Sequence, residues 1–164
     1  MVTSDNPGDV LVAYGLGSCV AICLYDPVAR VGGMLHPLLP TAHNNGRAKQ
    51  SKPTKFVDQG TALLIDALLN LNARRTQLVA YLCGGARMLS TPEFDDLLSI
   101  GERNELAAEA ALRATGLRVR ARATGGHAGR TVRFYIATGK LVIRTLGHGE
   151  QDLNATFRRP EWPR

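Results

Sequence analysis

The stretch from Ala13 to Pro40, AYGLGSCVAICLYDPVARVGGMLHPLLP, governs how the whole chain is read. Two glycines, a serine and a cysteine precede VAICLYD, an apolar run with the length of a buried strand. Asp26-Pro27 opens a turn, with φ set by the proline. VGGMLHPLL then returns as a second strand ending at Pro37 or Pro40. If the chain reverses around Val28, Cys19 pairs with a residue near position 37, and His36 falls beside or diagonal to it. A slip of one residue would turn His36 to the other face, and Gly32-Gly33 is placed for a bulge that would re-aim it.

On either side of this hairpin the pattern continues. DVLVAYG reads as a strand before the glycine turn. TAHNNGRAKQSKP, from Thr41 to Pro53, is polar and rich in turn formers and reads as a loop. A helix is expected next, with Thr54 as N-cap and Val57, Thr61, Leu64, Leu68 and Leu71 at helical spacing. QLVAYLCGGA reads as a strand running into a glycine turn. ERNELAAEAALRATG reads as a helix closed by Gly116. LRVRARA, TVRFYIA and KLVIRTL alternate, and the last two form a hairpin through Thr138-Gly139. Six or seven strands and two helices predict an α/β (α+β) layered sandwich, with mixed sheets and the helices packed outside. Residues 1–150 form one domain, and 151–164 are expected to be a flexible C-terminal tail.

The 164-residue chain is long enough to bury a core without disulfide or metal staples. It has no apolar window of membrane-spanning length and begins with a polar, acidic segment, so a cytoplasmic protein without membrane insertion is expected. The net charge of +6 suits an acidic partner. Nucleic acid is disfavoured, because no binding motif or array of stacking aromatics accompanies the charge. Arg118, Arg120 and Arg122 alternate onto one strand face. That face is either simply solvated or a dock for a carboxylate-rich helix.

Three cysteines, an odd number, do not make a secreted disulfide framework. Cys23 and Cys83 lie within apolar strands and read as packing. Cys19 differs, because glycines before it leave backbone amides uncovered and an imidazole is within reach across the hairpin. A thiol with pKa ~8.5 is little ionised at neutral pH. A neighbouring histidine can activate it, and turn amides can hold an oxyanion. On the residues alone, packing accounts for Cys19 and His36 as readily as catalysis does. Two other chemistries fit poorly. Gly15-Leu16-Gly17 lacks the third glycine and the following helix of a dinucleotide loop. Cys19, Cys23, His36 and His43 lack zinc spacing. No cofactor and no metal are expected.

The same segment, GLGSCVAICLYDPVARVGGMLHPLLP, resembles the signature of the CheD family, the chemoreceptor glutamine deamidases of bacterial chemotaxis. The likeness continues through KFVDQGTALLIDALL, GGARM, IGERN, TGG and YIATGKLVIRTLGHGE, from about Gly15 to Glu150. It implies a layered fold like the catalytic domain of the cytotoxic necrotizing factors. It implies a protein-glutamine glutaminase that works through a thioester, with Cys19 as nucleophile and His36 as its partner. Gly17 and Ser18 would support the turn and the oxyanion, and Gly84 and Gly85 the substrate-side loops. The implied partners are the acidic helices of chemoreceptor cytoplasmic domains and a CheC-type phosphatase. The family's third catalytic residue, a threonine six positions before the cysteine, is Ala13 here. Orienting His36 would then fall to the Ala13 backbone carbonyl or to a hydroxyl such as Ser18 or Thr41. Many relatives also carry another strand before this motif; with 18 residues ahead of Cys19, an edge strand is expected to be absent. Ala13 also motivates a second reading, a binding module of the chemotaxis machinery with little or no activity. A cysteine peptidase or transglutaminase would share the acyl chemistry.

Overall fold

Side chains alternate along a strand, so a strand whose two faces are both apolar must be covered on both sides. VAICLYD is such a strand, buried at every position. In the computed structural model, which describes residues 1–42, 51–88 and 99–154, it is the centre of a three-layer molecule. The strands are β1 (Val2–Ser4), β2 (Val10–Leu16), β3 (Val20–Asp26), β4 (Val31–Leu35), β5 (Val79–Gly84), β6 (Val119–Thr124), β7 (Arg130–Tyr135), β8 (Lys140–Thr145) and β9 (Gly149–Asp152). The helices are α1 (Val57–Asn70) and α2 (Ile100–Ala114). One sheet has the order β1-β4-β3-β5-β6, the other β2-β7-β8-β9. Ala21, Cys23, Tyr25 and Met34 point to the second sheet, where Leu16, Phe134, Ile136 and Leu141 meet them. Val20, Ile22, Leu24 and Leu35 point the other way, onto Leu64, Leu68 and Leu112 of the helices. The layered sandwich with outer helices is therefore the fold, one sheet mixed and the other wholly antiparallel.

Several expectations change in detail. Among the described residues there are nine strands rather than six or seven. β1 adds to the β4 edge, and β9 pairs with β8. Residues 151–154, expected in the tail, include part of β9, the buried Leu153 and Asn154, which bonds Tyr81 and Gly139. Residues 155–164 and His43 lie outside the described residues. Thr54 is not an N-cap. It sits in a 3-10 turn, and α1 starts after Phe56. The helix's leading amides are satisfied instead by the backbone beyond His36, with Val57 N–H donating to Leu39 O (2.9 Å) and Asp58 N–H to Pro40 O (3.3 Å).

Gly32 and Gly33 form no bulge. The β3–β4 register runs unbroken from Ile22↔Leu35 to Asp26↔Val31. The missing side chains instead make room for Ile136 and Phe134 on one face and Leu64 on the other. A bulge does occur in β6, where Ala80↔Val119 is followed by Tyr81↔Ala121. It breaks the alternation on which the expected arginine face depends. Arg122 turns to α2 and pairs with Glu109 and, at 3.8 Å, with Glu105. Arg120 acts on Tyr81, whose phenol burial pushes up and the arginine charge draws back.

Candidate active site

The β2–β3 turn carries Gly17, Ser18 and Cys19, and its three carbonyls are held one by one. Ala86 N–H donates to Gly17 O (2.8 Å), and Gly85 N–H to Cys19 O (2.8 Å). Between them, the Asn104 side-chain amide donates to Ser18 O (2.9 Å). Three consecutive peptide planes are thus fixed, and with them the exit direction of the Cys19 side chain. The segment after β5 can come this close because Gly84 has φ +99° and any Cβ there would strike Cys19 O. Gly84 and Gly85 therefore brace the turn from behind. Gly125 N–H in turn donates to Gly84 O (3.0 Å), and Arg87 N–H to Gly126 O (2.8 Å), so the TGG segment closes the same end of the sheet.

His36 arrives by the regular hairpin. Continuing the register one step past Ile22↔Leu35 sets it opposite Ala21, two residues from Cys19 and on the same inter-sheet face as Met34. Cys19 packs against that inter-sheet core and is partly exposed. The sheet thus brings Cys19 and His36 to one face and one end, diagonal to each other as the hairpin predicts. Beyond His36, Pro37 is buried, and Leu38 and Leu39 N–H groups both donate to Lys55 O (2.9 and 3.2 Å).

Burial raises the Cys19 thiol above its ordinary value, while its own backbone N–H pulls it back. Burial lowers the His36 imidazole, and the positive Met1 amino group lowers it further. Both directions favour the uncharged forms, the thiol and the neutral imidazole, near neutral pH. His36 Nε2 is buried without a hydrogen-bond partner among the described residues. The other cysteines are unlike this. Burial pushes Cys83 up to about 12, with Arg130 opposing, and Cys23 well above its usual range. Both are solvent-inaccessible core residues.

The remaining site candidates separate by position. Ala13 is buried in β2, with its backbone in register with Val132 of β7 and its methyl in the inter-sheet core. Thr41 is exposed, one residue before Ala42, whose N–H reaches Asp58 (3.5 Å). Ser18 contributes its carbonyl to Asn104. Among the described residues, no group of His, Cys, Asp and Glu side chains has metal-binding geometry.

Motif and spacing assign Asn104 no chemistry, yet the sequence does carry a signal for it. Gly101, Asn104, Ala108 and Leu112 are the buried stripe of α2, and Asn104 is the one member with a polar side chain. A cluster around it is equally hidden from sequence patterns. Ser99 and Glu102 form a capping box, Arg87 pairs with Glu102 at 3.4 Å, and the Thr124 hydroxyl donates to Glu105 (2.5 Å).

The chain is thus a layered α+β sandwich with a braced cysteine turn and a histidine just past the adjoining strand. Comparison with known proteins gives its family. Residues 38–145 match the model of the CheD family, described as CheD chemotactic sensory transduction. The chain is 43% identical over 150 residues to a probable chemoreceptor glutamine deamidase CheD of Symbiobacterium thermophilum, covering 92% of this chain and 90% of that one. It is 44% identical over 141 residues to the probable chemoreceptor glutamine deamidase CheD of Pyrococcus abyssi, covering 86% and 85%. It is 41% identical over 146 residues to the chemoreceptor glutamine deamidase CheD of Thermotoga maritima, covering 89% and 87%. The chain belongs to the CheD family.

Proposed function

We propose that this protein hydrolyses selected glutamine side chains of chemoreceptor cytoplasmic domains to glutamate, using Cys19 and His36. The observation that carries this reading is the Cys19 turn itself. Its three carbonyls are all tied inward, and an imidazole whose buried Nε2 has no partner among the described residues shares its face. The names of the relatives agree with it.

Chemically, His36 Nε2 takes the Cys19 proton as Sγ attacks the carboxamide carbon. The carbonyl oxygen becomes an oxyanion that the Cys19 N–H and neighbouring turn amides receive. Collapse breaks the C–N bond, and the imidazolium returns its proton to the departing ammonia, leaving a thioester. His36 then deprotonates water, which attacks the thioester. The glutamate is released and the thiolate regains its proton. No cofactor takes part. The reaction takes place in the cytoplasm, on the acidic helices of the receptor, and a CheC-type phosphatase is a further partner. Among the described residues, no helix is long and apolar enough to cross a membrane.

A second reading, a binding module with little or no turnover, is favoured by one residue. Ala13 has no hydroxyl with which to orient His36. One experiment separates the readings. The protein is incubated with the receptor cytoplasmic fragment, and each glutamine is followed by mass spectrometry, with Cys19→Ala as control. Conversion that disappears in Cys19→Ala is the expected result. No conversion, or equal conversion by Cys19→Ala, overturns the enzymatic reading. Backbone cleavage would identify a peptidase.

A further inference from the structure

We infer that Asn104 is a positioning residue that locks the Cys19 turn and the His36 segment into one frame, an inference that rests on the proposed cysteine chemistry. Its side chain is fully buried on the inner stripe of α2. Its Nδ2 donates to Ser18 O at 2.9 Å and to Leu38 O at 3.1 Å, using both hydrogens. Both acceptors are carbonyls, so only the NH2 end of the amide can face them. The two contacts lie next to the two reacting side chains. Ser18 immediately precedes Cys19, and Leu38 follows His36 by two residues, with Pro37 stiffening the interval.

The first contact has a direct chemical consequence. Ser18 C=O and Cys19 N–H belong to one planar trans peptide and point in opposite directions. Holding the carbonyl against the helix therefore aims the Cys19 N–H away from it, toward the side where Sγ lies. That N–H already interacts with the Cys19 thiol. The same bond thus presents an oxyanion donor and steadies the sulfur. The frame is rigid because α2 seats tightly here. A Cβ on Gly101 would lie 2.6 Å from Gly85 O, so only glycine lets the helix approach the segment that braces the turn.

Asn104 Oδ1 is buried with no partner among the described residues. An apolar residue would fill this stripe without that penalty. Aspartate, of the same shape, has no hydrogens for the two carbonyls when ionised. The geometry therefore uses asparagine for its two donors and tolerates the orphaned oxygen.

The test compares Asn104→Ala and Asn104→Ser with Asp26→Asn, all in the full chain. Asp26→Asn is the control because it disturbs a buried polar hub at the far end of β3. Two quantities are measured at a temperature where urea melts show the variants folded. One is the rate of Cys19 alkylation by iodoacetamide as a function of pH. The other is kcat and KM on the receptor fragment. Asn104→Ala should lower kcat about tenfold to a hundredfold, with KM nearly unchanged. It should also move the alkylation profile to higher pH. Asn104→Ser, with one small donor left, should fall between, and Asp26→Asn should leave the profile in place. The inference is overturned if a folded Asn104 variant keeps the wild-type profile and kcat and loses only stability. If the wild type converts no glutamine, the functional reading fails separately and the alkylation profile alone decides the role of Asn104.

Discussion

β3 has two ends, and each is held by a buried polar side chain, but the two are balanced differently. At the outgoing end the Asp26 carboxylate accepts from the N–H groups of Val28 (2.8 Å), Ala29 (3.0 Å) and Arg74 (2.7 Å). Every bond there is charge-assisted, and one joins the β3–β4 turn to the start of the segment leading into β5. At the incoming end Asn104 holds two carbonyls. Two buried side-chain atoms there, Asn104 Oδ1 and His36 Nε2, have no partner among the described residues. Protein interiors rarely leave such atoms unpaired, and the exceptions call for an explanation. One end of the strand is saturated and serves the fold. The other leaves polar atoms unpaired next to the proposed nucleophile.

Substitutions at the two ends should therefore fail in different assays. The largest effect belongs to Cys19→Ala, which should reduce glutamine conversion by at least about a thousandfold. Its unfolding free energy should change by less than about 1 kcal/mol, because the side chain is partly exposed. Next, His36→Ala should slow conversion about a hundredfold or more, the usual contribution of a general base. Stability should change little, since the buried Nε2 gives up no hydrogen bond to the described residues. A large loss of stability in either variant, matching the loss of activity, would erase the distinction between the two ends.

At the other end, Asp26→Ala should destabilise the protein by about 3 kcal/mol in urea unfolding, because three N–H groups lose a charged acceptor. Its Cys19 alkylation profile should stay as in the wild type. Desolvation pushes the Asp26 carboxyl up, but the N–H donors of Arg74, Ala29 and Val28 outweigh it and hold it below its ordinary value. Its stabilisation is therefore complete above the unfolded value of ~3.9 and fades as pH falls through the lower folded value. Urea melts between pH 6 and pH 3 should show this acid limb, weakened in Asp26→Asn. The smallest effect is that of Ala13→Thr, which supplies the hydroxyl the family pattern has at this position. A rise in kcat of about threefold to tenfold is expected, within the range of an orienting hydrogen bond. It would come with a packing penalty of about 1 kcal/mol in the inter-sheet core. An unchanged kcat would mean that His36 is oriented without a group at this position.

The features legible in the residues are local ones. The doubly apolar run Val20–Asp26 and the turn at Asp26-Pro27 imply a central hairpin, and the hairpin brings His36 to the Cys19 face. The unbroken register of β3 and β4 agrees with that reading. The periodicities of α1 and α2 and the β7–β8 hairpin are legible for the same reason, since each pattern repeats over a few residues. The arginine face departs from simple alternation because one bulged residue in β6 reverses every side chain after it. Thr54 caps nothing because the amides within its reach are taken by Leu39 and Pro40, which come to the helix from another part of the chain.

The order of residues alone suggests the layers and a hairpin that carries His36 back toward Cys19, because alternation and turn chemistry act between near neighbours. The register that sets them on one face comes from the structure. What holds that pair depends on contacts between distant parts of the chain. The bond from Asn104 to Ser18 spans 86 positions, and the one to Leu38 spans 66. Both join a side chain to a backbone carbonyl, and every residue carries such a carbonyl. No residue type announces which carbonyl will be chosen. Only the packing of α2 against β3 and β5 selects it.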